Sequence, residues 1–145
     1  MSVQNISITQ EFNAPVDTVF GTLTDHESFG NLMSGAQITR VVDSAEDNVN
    51  GTGSVRSIKM PLAPAFEETV VSYEKNKLME YTISKGSPIK NHLGRMNFSE
   101  KNGRTTLHYT IQLESKLPVP FLGSVLKLGV EKSIVSLLSK LAAQY

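Results

Sequence analysis

The sequence predicts an α+β fold, in which a curved antiparallel sheet of seven strands wraps around a long C-terminal helix and two short helices follow the first strand. Apolar residues recur with a two-residue period between residues 36 and 114, which is typical of strands. The period changes to that of a helix at residues 16–23 and again at residues 122–141. Turn residues divide the two-residue pattern into short segments. These observations together favour a meander closed by helices.

Length and composition restrict the possible functions. The chain has 145 residues, 39% of them apolar, which predicts a single domain over residues 1–145. Fourteen basic residues balance fourteen acidic residues, so we expect no nucleic-acid partner. No cysteine is present, and no segment approaches the apolar length of a membrane span. We therefore expect a cytoplasmic protein without stable membrane insertion, either a monomer or a weak homodimer.

The N-terminal elements follow from periodicity and one proline. Residues 3–12 alternate as a strand does. Pro15 has a fixed φ angle and no amide hydrogen, which suits the start of a helix. Two short helices are predicted over residues 15–33, separated near Asp25 and His26.

Hairpin turns mark the strands that follow. Asn50-Gly51 and Asn102-Gly103 are typical turn pairs. The remaining strands are predicted near residues 36–43, 53–60, 66–74, 77–85, 89–99 and 104–114.

The dimensions of these elements predict a cavity. A final helix of about 33 Å spans a seven-stranded sheet about 34 Å wide. A twisted sheet that wraps around one helix is filled to its centre only by large side chains. Several inward positions are small or polar, so an unfilled apolar interior is expected.

Strand parity identifies the residues that face this interior, because successive side chains point to opposite faces. His92 shares a strand face with Met96 and Phe98 and is therefore predicted to point inward, whereas His108 is predicted to point outward. Residues 66–74 are ambiguous, since both alternations contain apolar residues. The final helix contributes two residues from its apolar stripe, Val130 and Ile134. Outside residues 66–74, the predicted ligand-binding residues are therefore Arg56, Ile58, Met60, Tyr81, Ile83, His92, Met96, Phe98, Leu107, Tyr109, Val130 and Ile134.

Metal and cofactor sites are not predicted. The chain has three histidines, and no histidine pair has ligand spacing. No serine lies in a nucleophile-elbow setting. We expect no metal, no cofactor and no assigned catalytic residue, with His92 and Glu68 as the candidates if any catalysis occurs.

Several stretches carry a resemblance to a known family. The chain resembles the START-like helix-grip (SRPBCC) superfamily, in particular its polyketide cyclase/dehydrase-like branch, and is also similar to plant pollen allergens and hormone receptors. The resemblance implies a deep hydrophobic pocket, a minority of enzymatic members and no shared set of catalytic residues. The supporting stretches are residues 8–20, 51–56, 68–74, 81–88 and 103–109.

The resemblance also implies roles for particular residues. In the hormone receptors a glutamate at the position of Glu68 faces the cavity, and an aromatic residue follows an asparagine, as His92 follows Asn91 here. Residues 60–66 lie where relatives place the cavity gate, although a stiff connection explains them as well. An inward Glu68 requires either protonation or a partner such as Arg56 or His92. His92 is interpreted either as a structural histidine or as a group that orients the ligand.

Three function classes follow. The first is binding or transport of a small hydrophobic ligand (lipid, polyketide or aromatic), which is also the expected partner. The second is a cyclase or dehydratase-type enzyme, a lyase that uses His92 or Glu68 as general acid or base. The third is a protein-interaction module with a vestigial cavity, which a large exposed apolar patch would favour.

Overall fold

The fold is described by a computed structural model covering residues 3–33, 35–61 and 64–145. Seven strands and three helices are present in these ranges. Their order is β1 (Gln4–Phe12), α1 (Val16–Thr24), α2 (His26–Leu32), β2 (Gln37–Val42), β3 (Val55–Lys59), β4 (Phe66–Glu74), β5 (Leu78–Lys85), β6 (Ile89–Lys101), β7 (Arg104–Ser115) and α3 (Leu122–Ala142).

The strands form one antiparallel sheet in the order β1-β7-β6-β5-β4-β3-β2. The predicted α+β helix-grip fold is therefore confirmed, with a meander from β2 to β7 and with β1 added beside β7. Strand ends differ slightly from the prediction. The strand expected over residues 53–60 is shorter, because Gly53 adopts a positive φ of 87° and its amide donates to the Val70 carbonyl oxygen outside the regular ladder.

The first two helices divide at Asp25, as predicted. Asp25 is extended, so it ends α1 and begins α2. Its carboxylate accepts hydrogen bonds from the Ser28 amide at 2.9 Å and the Ser28 hydroxyl at 2.8 Å. This side chain thus supplies a typical N-terminal helix cap.

Register shifts interrupt the ladder at several points and bend the sheet. They occur between Arg40 and Val42, at two places in β4, and between Lys90 and Leu93. Such bulges increase the local twist of a strand. The sheet is therefore curved enough to enclose space on its inner face.

Helix α3 fills only part of that space. It packs on β1 and β7, and its C-terminal half buries Ile134, Leu137, Leu138 and Leu141. In its N-terminal half only Gly123 is buried. The two halves therefore have different roles: the C-terminal half completes the core, and the N-terminal half covers open space.

A buried polar network joins α2 to the connection between β2 and β3. Asn50 donates to Asp25 Oδ1 at 2.9 Å and accepts from Arg40 Nη1 at 3.0 Å. His26, fully buried, lies beside this network with its Nε2 atom 3.0 Å from Ser54 Oγ. Burial, reinforced by the positive charges of Arg56 and Arg40, lowers the pKa of His26 to about 3. His26 is consequently neutral in the folded protein at ordinary pH.

Acid should destabilise the fold through His26. Below about pH 6.5 the unfolded chain protonates this imidazole, whereas the folded protein does not until about pH 3. The unfolded state then binds more protons, so stability falls as the pH decreases through this window, by at most about 1.4 kcal/mol per pH unit from this one group. Urea unfolding across that pH range measures the slope.

The variant His26→Phe should show a shallower slope than the unmodified protein, even if it is less stable at pH 7. Exposed His108 provides the matched control, and His108→Gln should retain the full slope. An unchanged slope in His26→Phe would show that His26 does not control acid stability.

Candidate ligand-binding cavity

An apolar cavity of about 570 Å³ lies between the inner face of the sheet and the N-terminal half of α3. Its volume falls within the usual range of small-molecule sites. Arg56 and Glu68 are the only acidic or basic side chains on its wall within the part of the chain that the structure describes, and His92 is the one imidazole. The wall consists of Phe29, Met33, Arg56, Ile58, Met60, Pro64, Phe66, Glu68, Tyr81, Ile83, Gly86, Ser87, Pro88, Ile89, His92, Ile111, Leu113, Val125, Leu126, Gly129, Val130, Ser133 and Ile134.

The structure divides the predicted ligand-binding residues into two groups. Nine are part of the cavity wall: Arg56, Ile58, Met60, Glu68, Tyr81, Ile83, His92, Val130 and Ile134. The other four, Met96, Phe98, Leu107 and Tyr109, face inward but lie in the packed core and not on the wall. Their placement on the wall is corrected because parity identifies the face of a strand but not which part of that face the helices cover; Phe20 of α1, for example, packs against Phe98.

The predicted gate, residues 60–66, is only partly described. Leu62 and Ala63 lie outside the described residues. Met60, Pro64 and Phe66 are part of the cavity wall.

A buried ion pair forms the polar end of the cavity. Arg56 on β3 and Glu68 on β4 are direct cross-strand neighbours, and they are 1% and 7% exposed. Glu68 Oε1 accepts from Arg56 Nε at 2.8 Å and lies 2.7 Å from Nη2. Burial acts to lower the pKa of Arg56, but the charge and hydrogen bond of Glu68, together with Tyr81 and Tyr109, outweigh this effect and the pKa is raised. The guanidinium is therefore charged and its charge is balanced by Glu68.

Two aromatic rings contact the Arg56 guanidinium. Arg56 Cζ lies 4.7 Å from the centre of the Phe29 ring and 4.8 Å from that of Tyr81. Cation–π contacts of this kind compensate part of the lost hydration. Arg56 Nη1 is buried and has no hydrogen-bond partner among the described residues. The site therefore holds a donor that the protein itself leaves unused.

The Tyr81 ring is positioned by a glycine on the neighbouring strand. Tyr81 pairs with Gly94 across β5 and β6, and a Cβ atom at Gly94 would lie 2.3 Å from Tyr81 Cζ. The ring thus occupies the space that any other side chain would take. Its hydroxyl forms a hydrogen bond with that of Tyr109, and burial raises the pKa of both tyrosines. Both hydroxyls therefore remain protonated.

His92 reaches the cavity through a bulge in β6. Asn91 has a positive φ of 51°, within the register shift between Lys90 and Leu93, so both Ile89 and His92 contribute to the wall. His92 Nδ1 accepts from the Ile83 amide at 3.1 Å. Burial, together with the charge of Arg56, lowers the pKa of His92 in spite of nearby Glu68.

These contacts determine the tautomer of His92. A neutral imidazole with an accepting Nδ1 carries its hydrogen on Nε2. No described residue accepts a hydrogen bond from that Nε2 atom. His92 therefore provides a second unused donor on the wall.

Sequence reasoning missed part of the wall. Phe29 comes from α2, Met33 from the residue that caps its C-terminal end, and Ile111 and Leu113 from β7. Nothing in the sequence indicated that Phe29 lies against the Arg56 guanidinium. The bulge at Asn91 had one signal, since asparagine tolerates positive φ better than most residues.

Comparisons with known proteins agree with this architecture. A family model described as "Polyketide cyclase / dehydrase and lipid transport" matches residues 3–145. No sequence among the curated proteins matches significantly.

Three solved structures illustrate the similarity of fold. A START superfamily protein from Mycobacterium smegmatis has a TM-score of 0.78 at 16% identity, with 97% of each chain covered. The Zhui aromatase/cyclase from Streptomyces sp. R1128 has a TM-score of 0.77 at 14% identity, covering 96% of this chain and 93% of that one. Norcoclaurine synthase from Thalictrum flavum, in complex with dopamine and hydroxybenzaldehyde, has a TM-score of 0.71 at 12% identity, covering 99% and 88%. At these identities the comparisons show the fold alone.

Neutralising Glu68 should strongly destabilise the protein, because it leaves the Arg56 charge buried without a counter-ion. Breaking a buried pair from one side costs about 3–5 kcal/mol. We expect Glu68→Gln to lose about 3 kcal/mol of unfolding free energy in urea titrations. Glu67→Gln, a neighbour that makes no ion pair among the described residues, should change it by less than about 0.5 kcal/mol.

Replacing both partners provides a further check on this prediction. The double variant Arg56→Met with Glu68→Leu should recover most of the lost stability, because it removes the unpaired charge. Wild-type stability in Glu68→Gln would contradict the described pair.

A methyl group at Gly94 should displace the Tyr81 ring. We expect Gly94→Ala to lose about 1–3 kcal/mol of unfolding free energy, as is usual for overpacking. In the background Tyr81→Leu the same change should cost much less, which a double-mutant cycle measures. Gly21→Ala is the control, since a Cβ there meets nothing within 4 Å. Equal costs of Gly94→Ala in both backgrounds would disprove the contact.

Proposed function

Because the chain belongs to the polyketide cyclase/dehydrase and lipid transport family, we propose that its cavity binds a small apolar ligand that carries an uncharged hydrogen-bond acceptor at one end. The observation that carries this proposal is His92 Nε2, a donor without a partner among the described residues on a largely apolar wall, next to Arg56, whose buried Nη1 also has no partner there. Buried polar groups without partners are costly. A ligand that supplies an acceptor removes this cost, whereas a pure hydrocarbon does not.

The volume of the cavity supports the apolar part of the proposal. A space of about 570 Å³ accommodates a molecule of drug size, and burial of apolar surface contributes about 25 cal/mol per Å². Ile58, Ile83 and Val130 provide such surface. The apolar body of the ligand thus supplies most of the binding energy, and the polar end fixes its orientation.

The charge balance of the site supports an uncharged acceptor. Arg56 is already neutralised by Glu68 at 2.7 Å, and the lowered pKa of His92 keeps its imidazole neutral. A carboxylate placed there would be a buried charge without a counter-ion. A ketone or ester carbonyl meets the same donors without that cost.

Catalysis is the second candidate, because His92 offers a hydrogen on Nε2 inside a largely apolar cavity. A cyclase or dehydratase would use this neutral N–H as a hydrogen-bond donor that polarises a bound carbonyl. Glu68 fits a structural role better, since Oε1 is already bonded to two nitrogens of Arg56. A pH–rate profile that follows the His92 titration and disappears in His92→Gln would favour this candidate over binding alone.

Two probes of nearly equal shape test the binding proposal. 2-Acetylnaphthalene carries a carbonyl, whereas 2-ethylnaphthalene has a methylene in its place. We expect the acetyl compound to bind about 5–10 times more tightly, since one hydrogen bond contributes about 1 kcal/mol. Calorimetric titration with purified protein measures both affinities.

Two variants test whether the probes bind inside the cavity. His92→Phe should bring the affinities of the two probes close together, and Val130→Trp should weaken both by filling the cavity. Thr110→Val, a polar-to-apolar change on the exposed outer face of β7, is the control and should alter neither. Unaltered binding of both probes to Val130→Trp would place them outside the cavity and reject the proposal.

A further inference from the structure

An exposed apolar patch lies around the start of α3. We call it the entrance patch and define it by five residues: Leu117, Val119, Phe121, Val125 and Leu128. Phe121 is 81% exposed, Leu128 66% and Val125 61%. Single exposed apolar residues are common on protein surfaces, but a contiguous group of them marks an interaction site.

The entrance patch adjoins the opening of the cavity. Val125 and Leu128 are three residues apart, which places them on one face of α3, and Phe121 directly precedes the helix at its N-terminal cap. Val125 belongs both to this face and to the cavity wall. The exposed residues of the wall carry no charge; they are Pro64, Gly86, Pro88, Val125, Gly129 and Ser133.

Phe121 is held in a conformation that is unfavourable for its side chain. It lies at the N-terminal cap of α3 with φ of 65° in the left-handed region. A bulky residue there costs about 1–2 kcal/mol, whereas glycine adopts the conformation freely. The strain projects a phenyl ring almost entirely into solvent, where it gains nothing from the fold itself.

The charges beside the patch indicate what binds there. Within one helical turn of the patch the ionisable side chains on α3 and the segment before it from residue 115 are those of Lys116, Lys127, Glu131 and Lys132, a net positive set, and neither Lys116 nor Lys127 forms an ion pair with a described residue. A second copy of the same patch would bring like charges together, which is unfavourable. An anionic lipid surface complements both the apolar residues and the lysines.

We infer that the entrance patch docks the protein peripherally on an anionic membrane, with Phe121 inserted among the lipids and the cavity opening toward them. None of the helices in residues 3–33, 35–61 and 64–145 has the length and hydropathy of a bilayer span, so the contact is interfacial. In this orientation an apolar ligand passes between bilayer and cavity without crossing water. The inference goes beyond ligand binding, and it is tested with vesicles that contain no ligand.

Vesicle flotation with the full chain tests the docking. We expect the protein to float with vesicles of phosphatidylcholine and phosphatidylserine in roughly a seven-to-three ratio, and far less with pure phosphatidylcholine, because anionic lipid attracts each nearby lysine. Raising the salt concentration should weaken the binding. Equal binding to both vesicle types, or no binding to either, overturns the inference.

Two variants separate docking from folding. Phe121→Gly should reduce the membrane partition coefficient about tenfold or more while leaving thermal stability equal or higher, since glycine suits the positive φ. The double change Lys116→Gln with Lys127→Gln should reduce it by a similar factor. The matched controls are Val71→Thr, at an exposed valine on β4, and Lys75→Gln in a hairpin turn with Lys101→Gln at the end of β6; these should bind as the unmodified protein does.

Two results would contradict the docking surface even if the protein binds vesicles. One is an undiminished partition coefficient in Phe121→Gly. The other is a concentration-dependent dimer that Phe121→Gly abolishes while vesicle binding persists, which would assign the patch to a second copy.

Discussion

The ion pair between Arg56 and Glu68 is the interaction on which the rest of the site depends. Removing two charges from water is expensive, and it is compensated here by hydrogen bonds at 2.8 and 2.7 Å and by the rings of Phe29 and Tyr81. The pair fixes the pairing of β3 with β4, and it anchors α2 through Phe29. Gly94 belongs to the same arrangement, because the Tyr81 ring lies where its side chain would be.

The cavity exists because the two halves of α3 pack differently against the sheet. Its C-terminal half packs in the core through Leu137, Leu138 and Leu141, while its N-terminal half borders open space through Leu126 and Val130. This division places the polar end of the cavity among the strands and its opening beside the exposed start of α3. The donors without partners, on Arg56 and His92, therefore lie at one end of the site. The most exposed apolar side chains, those of the entrance patch, lie at the other end.

Hydrophobic periodicity was sufficient to predict the fold, and strand parity placed several residues of the wall on the inner face of the sheet. It assigned Arg56, Tyr81 and His92 to the inner face without any coordinates. It did not separate wall from packed core at Tyr109, because the depth of α3 and α1 over the sheet depends on long-range packing. It left Glu68 ambiguous because both alternations of residues 66–74 contain apolar residues, and the strand itself is interrupted by two register shifts. The net charge of zero did not predict a membrane-binding surface either, because a total charge says nothing about where charges lie. Lys116 and Lys127 are close to the entrance patch, and the net charge does not show this.

The most direct test of this account is a crystal structure of the protein with 2-acetylnaphthalene bound. We predict density for the ligand between the sheet and the N-terminal half of α3, with its carbonyl oxygen within hydrogen-bond distance of Arg56 Nη1 or His92 Nε2. A cavity closed by the protein's own side chains, or a ligand whose oxygen points away from both nitrogens, would contradict it.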